Sequence, residues 1–321
     1  MANAWKREKP IRPIFLFCSA ALFLLFFFFI FLTLQNPSSS LNPNPIVLSS
    51  FRGPIQPFNC DLCPQSHPVI ANVVEGLKYP FLYSLADLGN LPEKPHKNIV
   101  RMLKGKPFRR PDISETIQEV LGRLRSEGNK GNGVVLDVGG NVGIASFAAA
   151  VMGFRVYAFE PVLENLQRIC DGIYLNRVRD LVTVFEAAAS DRLGNITFHK
   201  VLVGRLDNSA VSATGAKLAF KSNEEIAVQV RTVPLDDVIP ESEPVLLLKI
   251  DVQGWEYHVL KGAKKLLSRA ASEAPYLIYE EDERLLEASN TTKVEIRKFL
   301  SSVGYRHCTQ HGTDAHCTKE G

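Results

Sequence analysis

Four carboxylates stand at the ends of short apolar runs, where side chains of a sheet are delivered to a common edge. Asp137 precedes Val138-Gly139-Gly140-Asn141-Val142-Gly143, after which a helical pattern begins. Glycines let such a loop turn tightly and approach a ligand, and the first N–H groups of the following helix have no intrahelical partner. A dinucleotide fingerprint is not met, because its second glycine falls at Asn141. Asp137 therefore suits a ligand with a positive centre better than a pyrophosphate. Glu160 ends the next run, where a carboxylate can accept from both ribose hydroxyls. Asp251 and Glu280 end two later runs. They are the candidate catalytic pair, able to position an acceptor or to take a proton from a hydroxyl. Two such carboxylates could also bind a divalent cation, which the sequence leaves open. His199 and His258 are weaker candidate bases. Glu256 opens a helix, where a carboxylate is favoured by the helix dipole, so its structural reading is as strong as its catalytic one.

The elements that must position these groups follow from hydrophobic patterning. Apolar runs at 134–138, 156–159, 181–185, 245–250 and 276–279 predict strands, and helical spacing predicts helices near 143–152, 163–174, 256–268 and 292–302. Such alternation predicts a mainly parallel α/β sheet with helices on both faces. Residues 190–240 form a long insertion with β character at 195–201 and 226–233, long enough to shape a substrate entrance. Ahead of the sheet, Asp112 caps a helix whose stripe of Ile113, Ile117, Val120, Leu121 and Leu124 reads as packing surface.

Four segments resemble the FkbM family of S-adenosylmethionine-dependent methyltransferases: DVGGNVG at 137–143, YAFEP at 157–161, AAASD at 187–191 and LLKIDVQGWEYHVLKGA at 247–263. The last is the most family-specific, and the likeness covers roughly 130–305. It implies a Rossmann-like, seven-stranded class I methyltransferase sheet with S-adenosyl-L-methionine as cofactor. It places Asp137, Gly139, Asn141 and Gly143 in the cofactor loop, Glu160 on the ribose and Ala188 beside the adenine. Gly140 stands where the family often has alanine. The implied activity is O-methylation of a hydroxyl-bearing small molecule, sugar or secreted glycan. Two other readings are a catalytically inactive methyltransferase-like scaffold and a short-chain NAD(P)-dependent reductase, the latter on the Tyr257/Lys261 spacing.

Composition and charge narrow the setting. The 321 residues, 45% hydrophobic and 22% charged, exclude collagen-like, wholly disordered and small disulfide-scaffold classes. The formal charge of +3 is carried entirely by residues 1–13, where Lys6, Arg7, Lys9 and Arg12 outweigh Glu8. The remainder sums to zero and gives no electrostatic footprint for nucleic acid, which needs a clustered cationic face, so no nucleic-acid partner is expected. Residues 14–34 contain no charge and only Ser19 and Thr33 as polar members, the length and character of a membrane-spanning helix. This segment is longer than the core of a cleaved signal peptide. The expected organisation is a cytosolic tail (1–13), a transmembrane signal anchor (14–34), a flexible stem (35–58), an irregular or partly helical collar (59–110) and a methyltransferase domain (111–321). Basic residues before the span predict a type II protein of the Golgi or another endomembrane, with its body in the lumen. The sequons Asn195-Ile196-Thr197 and Asn290-Thr291-Thr292 are compatible with that side.

Five of the six cysteines, Cys60, Cys63, Cys170, Cys308 and Cys317, follow the span. An odd number leaves at least one unpaired or bonded between chains. Cys170, in a helical stretch with apolar neighbours, is expected as a buried free thiol. Cys60 and Cys63 read as a redox pair, as half a zinc site, or as the anchor of a disulfide to the C-terminal pair. Cys308 and Cys317, among His307, His311 and His316, close a short loop as a disulfide or contribute to a zinc site.

Overall fold

A computed structural model describes residues 55–67, 69, 71–85, 89–90, 94–95, 112–126, 133–201, 209–210 and 225–319. No helix among them is long and apolar enough to cross a membrane. The tail at 1–13, the span at 14–34 and the stem up to residue 54 lie outside the described residues, which all belong to the unit Pro54–Gly321.

The organising element is a seven-stranded sheet. Its strands are β5 (Val134–Val138), β6 (Arg155–Phe159), β7 (Val182–Phe185), β12 (Val245–Ile250), β13 (Tyr276–Glu280), β14 (Tyr305–His311) and β15 (Asp314–Lys319), in the order β14-β15-β13-β12-β5-β6-β7. Neighbours from β13 to β7 are parallel, and β15 runs antiparallel to both β13 and β14. The central strands are buried on both faces, which is why VVLDV and VLLLKI read as near-continuous apolar runs rather than alternating ones. One face packs Leu136, Val138, Leu248 and Tyr279 against Val259, Leu266 and Leu300. The other packs Val135, Leu247 and Ile278 against Ile117, Phe147 and Leu166.

Helices α1 (Asp112–Ser126), α2 (Ile144–Ala150), α3 (Leu163–Asn176), α4 (Leu235–Val238), α5 (Glu256–Gly262), α6 (Lys264–Leu267), α7 (Glu283–Ala288) and α8 (Lys293–Ser302) supply those layers. Their starts are chemically legible: Thr292 and Glu295 form a reciprocal capping box at α8. The single helix expected over 256–268 is two, separated at Ala263. Residues 305–319, too polar to read as sheet, form the edge hairpin β14–β15, anchored in the core by Tyr305, Ala315 and Cys317. Polar outer positions are what an unpaired sheet edge needs. The insertion after β7 builds a second sheet in the order β10-β9-β11-β8, from β8 (Ala188–Ala189), β9 (Gly194–Val201), β10 (Ser209–Ala210) and β11 (Glu225–Val233).

The expected irregular collar contains strands. β1 (Ala71–Val74) and β2 (Phe81–Ser84) pair as a hairpin, followed by the two-residue strands β3 (Gly89–Asn90) and β4 (Lys94–Pro95). The β1–β2 hairpin lies on α3. The Asn176 amide caps the backbone of Leu82 through both its groups, at 2.8 and 2.6 Å. Asp171 accepts from Ser66 and Ser84, and Arg168 donates to both hydroxyls.

Here the expectation of a free Cys170 is corrected: it forms a disulfide with Cys60, 110 residues away, while among the described residues Cys63 is the free thiol. The N-terminal arm crosses α3 at Cys170, a return that local sequence does not record. Cys308 and Cys317 are joined directly across the β14–β15 hairpin. Replacing both Cys60 and Cys170 with serine is expected to lower stability by about 2–5 kcal/mol by freeing a long loop in the unfolded chain. Denaturant titration checks this, and an unchanged midpoint would show that the buried Arg168–Asp171 network holds the arm by itself.

Candidate functional site

The order of the sheet reverses beside β5: the chain moves outward through β6 and β7, then returns to β12 on the other side. In open α/β sheets this switch point, at the carboxyl ends of the strands, leaves a crevice for ligands. A cavity of about 150 Å³ lies there, lined by Gly140, Asn141 and Val142 of the loop after β5, by Lys249, Ile250 and Asp251, and by Glu280 and Asp314. Ile113, Ile144 and Ile278 give it an apolar wall. Ile113 opens α1, so that helix contributes to the site as well as to packing.

The loop geometry explains its glycines. Gly139 has φ +75°, and a Cβ there would lie 1.9 Å from the carbonyl oxygen of Asp251. The loop after β5 and the exit of β12 thus touch backbone to backbone. Gly143, at φ +86°, leaves space that the Phe147 ring occupies. Asn141 adopts φ +53°, and its N–H donates to Glu160 Oε2 at 2.8 Å. Glu160 Oε1 accepts from the Val162 N–H and the Asn165 amide, at 3.0 and 3.1 Å. Burial raises Glu160 to about 7, more than these hydrogen bonds lower it. Ala188 on β8 packs with Val162, Phe198 and Val230 in a small apolar cluster, beside the end of β6 that carries Glu160.

Asp137 departs from its expectation. It is fully buried, and Lys249 is its positive partner, with Nζ 3.0 Å from Oδ1. Oδ2 accepts from the Ser146 N–H and hydroxyl, at 3.0 and 2.7 Å, tying the loop to α2. Parallel pairing places Lys249 directly opposite Asp137. Lys249 sits inside the most family-like motif, yet as the one charge in an apolar strand it carried no signal of its partner.

Asp251 and Glu280 are brought together through a residue the sequence reading missed. The Gln253 amide donates to Asp251 Oδ1 at 2.7 Å and to Glu280 Oε2 at 2.9 Å. Gln253 does so at φ +55°, a left-handed conformation rare for glutamine and of the kind that collects at functional sites. Burial first, then the charges of Asp251 and Glu256, make Glu280 hold its proton well above the usual carboxylate range. Glu256 is structural: its Oε1 accepts from the N–H groups of Val252 and Gly254 at 2.9 and 3.2 Å, pinning the turn after Asp251, and burial raises it to about 7. Among the described residues, no group of three or more His, Cys, Asp or Glu side chains is arranged to hold a metal ion.

Neither histidine candidate lines the cavity. His199 lies on β9, and His258 stacks on Trp255 at 3.7 Å with Nδ1 3.1 Å from Asp191. Asp191 also binds Lys261 at 2.8 Å. Although burial opposes ionisation of Asp191, the Lys261 and His258 hydrogen bonds bring its carboxyl down to about 2. This cluster fastens the segment after β8 to α5. It also engages the lysine of the Tyr257/Lys261 pair, and the Tyr257 ring packs edge-on against Phe299.

The methyltransferase FkbM domain family matches residues 137–307, just over half of the chain. No curated protein matches it. Among solved structures, EvdMO1 is 14% identical over 66% of this chain and 41% of its own, with a TM-score of 0.32. This chain thus spans about two fifths of the EvdMO1 chain. The precorrin-6y C5,15-methyltransferase of Geobacter metallireducens GS-15 is 13% identical over 66% and 90%, with a TM-score of 0.37. The magnesium protoporphyrin IX methyltransferase of Synechocystis PCC 6803, with bound SAH, is 14% identical over 69% and 92%, with a TM-score of 0.33.

Proposed function

Because this chain belongs to the FkbM methyltransferase family, we propose that it uses S-adenosylmethionine to O-methylate a hydroxyl of a neutral sugar or secreted glycan. The observation that carries this reading is the cavity at the switch point, where the glycine loop meets the Asp251–Gln253–Glu280 cluster. The residues present fit the donor. Glu160 stands behind the loop as the carboxylate that would accept from ribose hydroxyls, and the buried apolar cluster of Val162, Ala188, Phe198 and Val230 beside it marks the side on which an adenine would sit. When bound, S-adenosylmethionine supplies an electrophilic methyl group. The chain's own residues do the rest: Asp251 and Glu280 fix the acceptor hydroxyl, Asp251 takes its proton, and the isoleucine wall excludes water.

The proposed setting is the secretory lumen, with residues 14–34 as anchor. Its support is the uncharged span, the basic tail before it and the disulfides Cys60–Cys170 and Cys308–Cys317, since such bonds persist in oxidising compartments.

The test is calorimetric titration of the full-length chain with S-adenosylmethionine and with NADPH, followed by S-adenosylhomocysteine release in the presence of neutral methyl glycosides. Binding of S-adenosylmethionine with glycoside-dependent release is the expected result. Folded protein that does not bind it would sink the reading, a preference for NADPH would favour the reductase, and binding without turnover would favour the inactive scaffold. Glycan addition at either sequon in microsomes checks the orientation.

A further inference from the structure

We propose that Lys249 is a positioning residue, whose buried ammonium locks the cofactor loop to the strand that delivers Asp251 and so sets the donor and acceptor sides of the site in register. The proposal deepens the methyltransferase reading and rests on it for its kinetic part only.

The argument begins with an apparent misfit. Within Val245–Ile250 every residue except Lys249 is aliphatic, and all six are buried. An apolar side chain there would continue the core. A buried cation is expensive unless paired and fully hydrogen-bonded, and well-packed apolar residues commonly replace such pairs without loss of stability. Packing by itself therefore gives no reason for a lysine.

What the lysine does is specific. Its Nζ lies 3.0 Å from Asp137 Oδ1, 2.8 Å from the Gly139 carbonyl and 3.5 Å from the Val138 carbonyl. An ammonium has three donors, and these three acceptors account for them. No donor remains for a cofactor or acceptor, so the geometry favours holding the site over binding its ligands. Burial alone would strip the proton, but Asp137 foremost, then Asp251 and Glu160, keep the group charged above the usual lysine value.

The contacts form a continuous connection. Ser146 at the start of α2 is bound by Asp137, Asp137 by Lys249, and Lys249 by the carbonyl of Gly139 in the loop. Two residues beyond Lys249, the Asp251 N–H donates to Val138 at 3.0 Å, and the Asp251 carbonyl occupies the space a Gly139 side chain would need. Moving the ammonium shifts Gly139, and with it both Asn141, which holds Glu160, and the backbone of Asp251.

The test compares Lys249→Arg, which keeps the charge but replaces a compact ammonium with a longer planar fork, with Lys249→Met combined with Asp137→Asn, which removes both charges and leaves no buried ion unpaired. All measurements use the full-length chain. The first readout, independent of activity, is amide hydrogen exchange. The loop at 139–143 is expected to exchange at least about tenfold faster in both variants, with β6 protection kept, as loss of a local anchor predicts. In the second, the KM for S-adenosylmethionine rises and kcat falls, each by about tenfold or more in the doubly substituted protein, with a smaller loss in Lys249→Arg. Wild-type loop exchange in either folded variant overturns the proposal. Wild-type KM and kcat in the doubly substituted protein overturn it as well, leaving Lys249 a packing residue. If the unmodified enzyme itself neither binds S-adenosylmethionine nor turns over, the methyltransferase reading fails instead, and the exchange rates decide the positioning role. Should the doubly substituted protein not fold, Lys249→Arg decides by the same two readouts.

Discussion

Asp251→Asn is expected to lower kcat by about 10²–10⁴-fold, the range a positioned general base supplies, with little change in affinity for S-adenosylmethionine. The reason is a division of labour between two neighbouring carboxyls. Glu280 is buried and faces the charges of Asp251 and Glu256, so it is the member that keeps its proton. Asp251 is exposed at the mouth of the cavity, and the Gln253 amide on its Oδ1 orients it. A carboxyl that keeps its proton cannot take another, so the base role falls to Asp251. Asparagine keeps the size and the hydrogen bond from Gln253 but cannot take a proton. Glu280→Gln, which preserves a neutral hydrogen-bonding group, is expected to cost no more than about tenfold. S-adenosylhomocysteine release with neutral methyl glycosides measures both variants. Unimpaired turnover in Asp251→Asn would remove its role as base and leave it a backbone support for Gly139.

The second large effect is on the cofactor, and it depends on pH. Glu160→Gln is expected to weaken S-adenosylmethionine binding by about 10–100-fold at pH 8, as loss of charge-assisted hydrogen bonds to the ribose predicts. In the unmodified protein burial sets Glu160 at about 7. Ribose hydroxyls donate best to the ionised carboxylate, so binding releases a proton and affinity rises as pH passes through 7. Stability runs the other way. Glu160 and Glu256 both sit near 7 against an ordinary 4.5. Between those values the folded chain therefore holds more protons than the unfolded one. Their contribution is complete below about pH 4.5 and is lost as pH rises through 7. The ligand-free melting temperature should therefore fall between pH 5 and 8 on their account, while the shift caused by S-adenosylmethionine grows. Scanning both forms across that interval checks the signs, and Glu160→Gln should flatten each slope. Affinity that stays level from pH 6 to 8 in the unmodified protein would show that Glu160 does not hold the ribose as a carboxylate.

Much of this protein was legible in one dimension because it is local. Parallel strands buried on both faces must be apolar throughout, so β5, β6, β7, β12 and β13 announced themselves to within a residue. The loop after β5 needs glycine where φ is positive, as at Gly139 and Gly143, and two strand ends deliver Asp251 and Glu280 to the cavity, positions that neighbouring residues along the chain already mark. The polar hairpin at the sheet edge and the hairpin on α3 were missed for the converse reason. Their strand character comes from what they pair with or lie on, not from their own pattern. Partnership itself was decided only in three dimensions. Asp137 finds Lys249 across 112 positions, Cys60 finds Cys170 across 110, Gln253 bridges carboxylates from two strands, and Asp314 comes beside Glu280 because β15 pairs with β13 in one register. Residue type records what a side chain can do with its immediate neighbours along the chain. Which distant side chain it meets is set by strand order and register, and those minimise the energy of the whole sheet rather than of any segment within it.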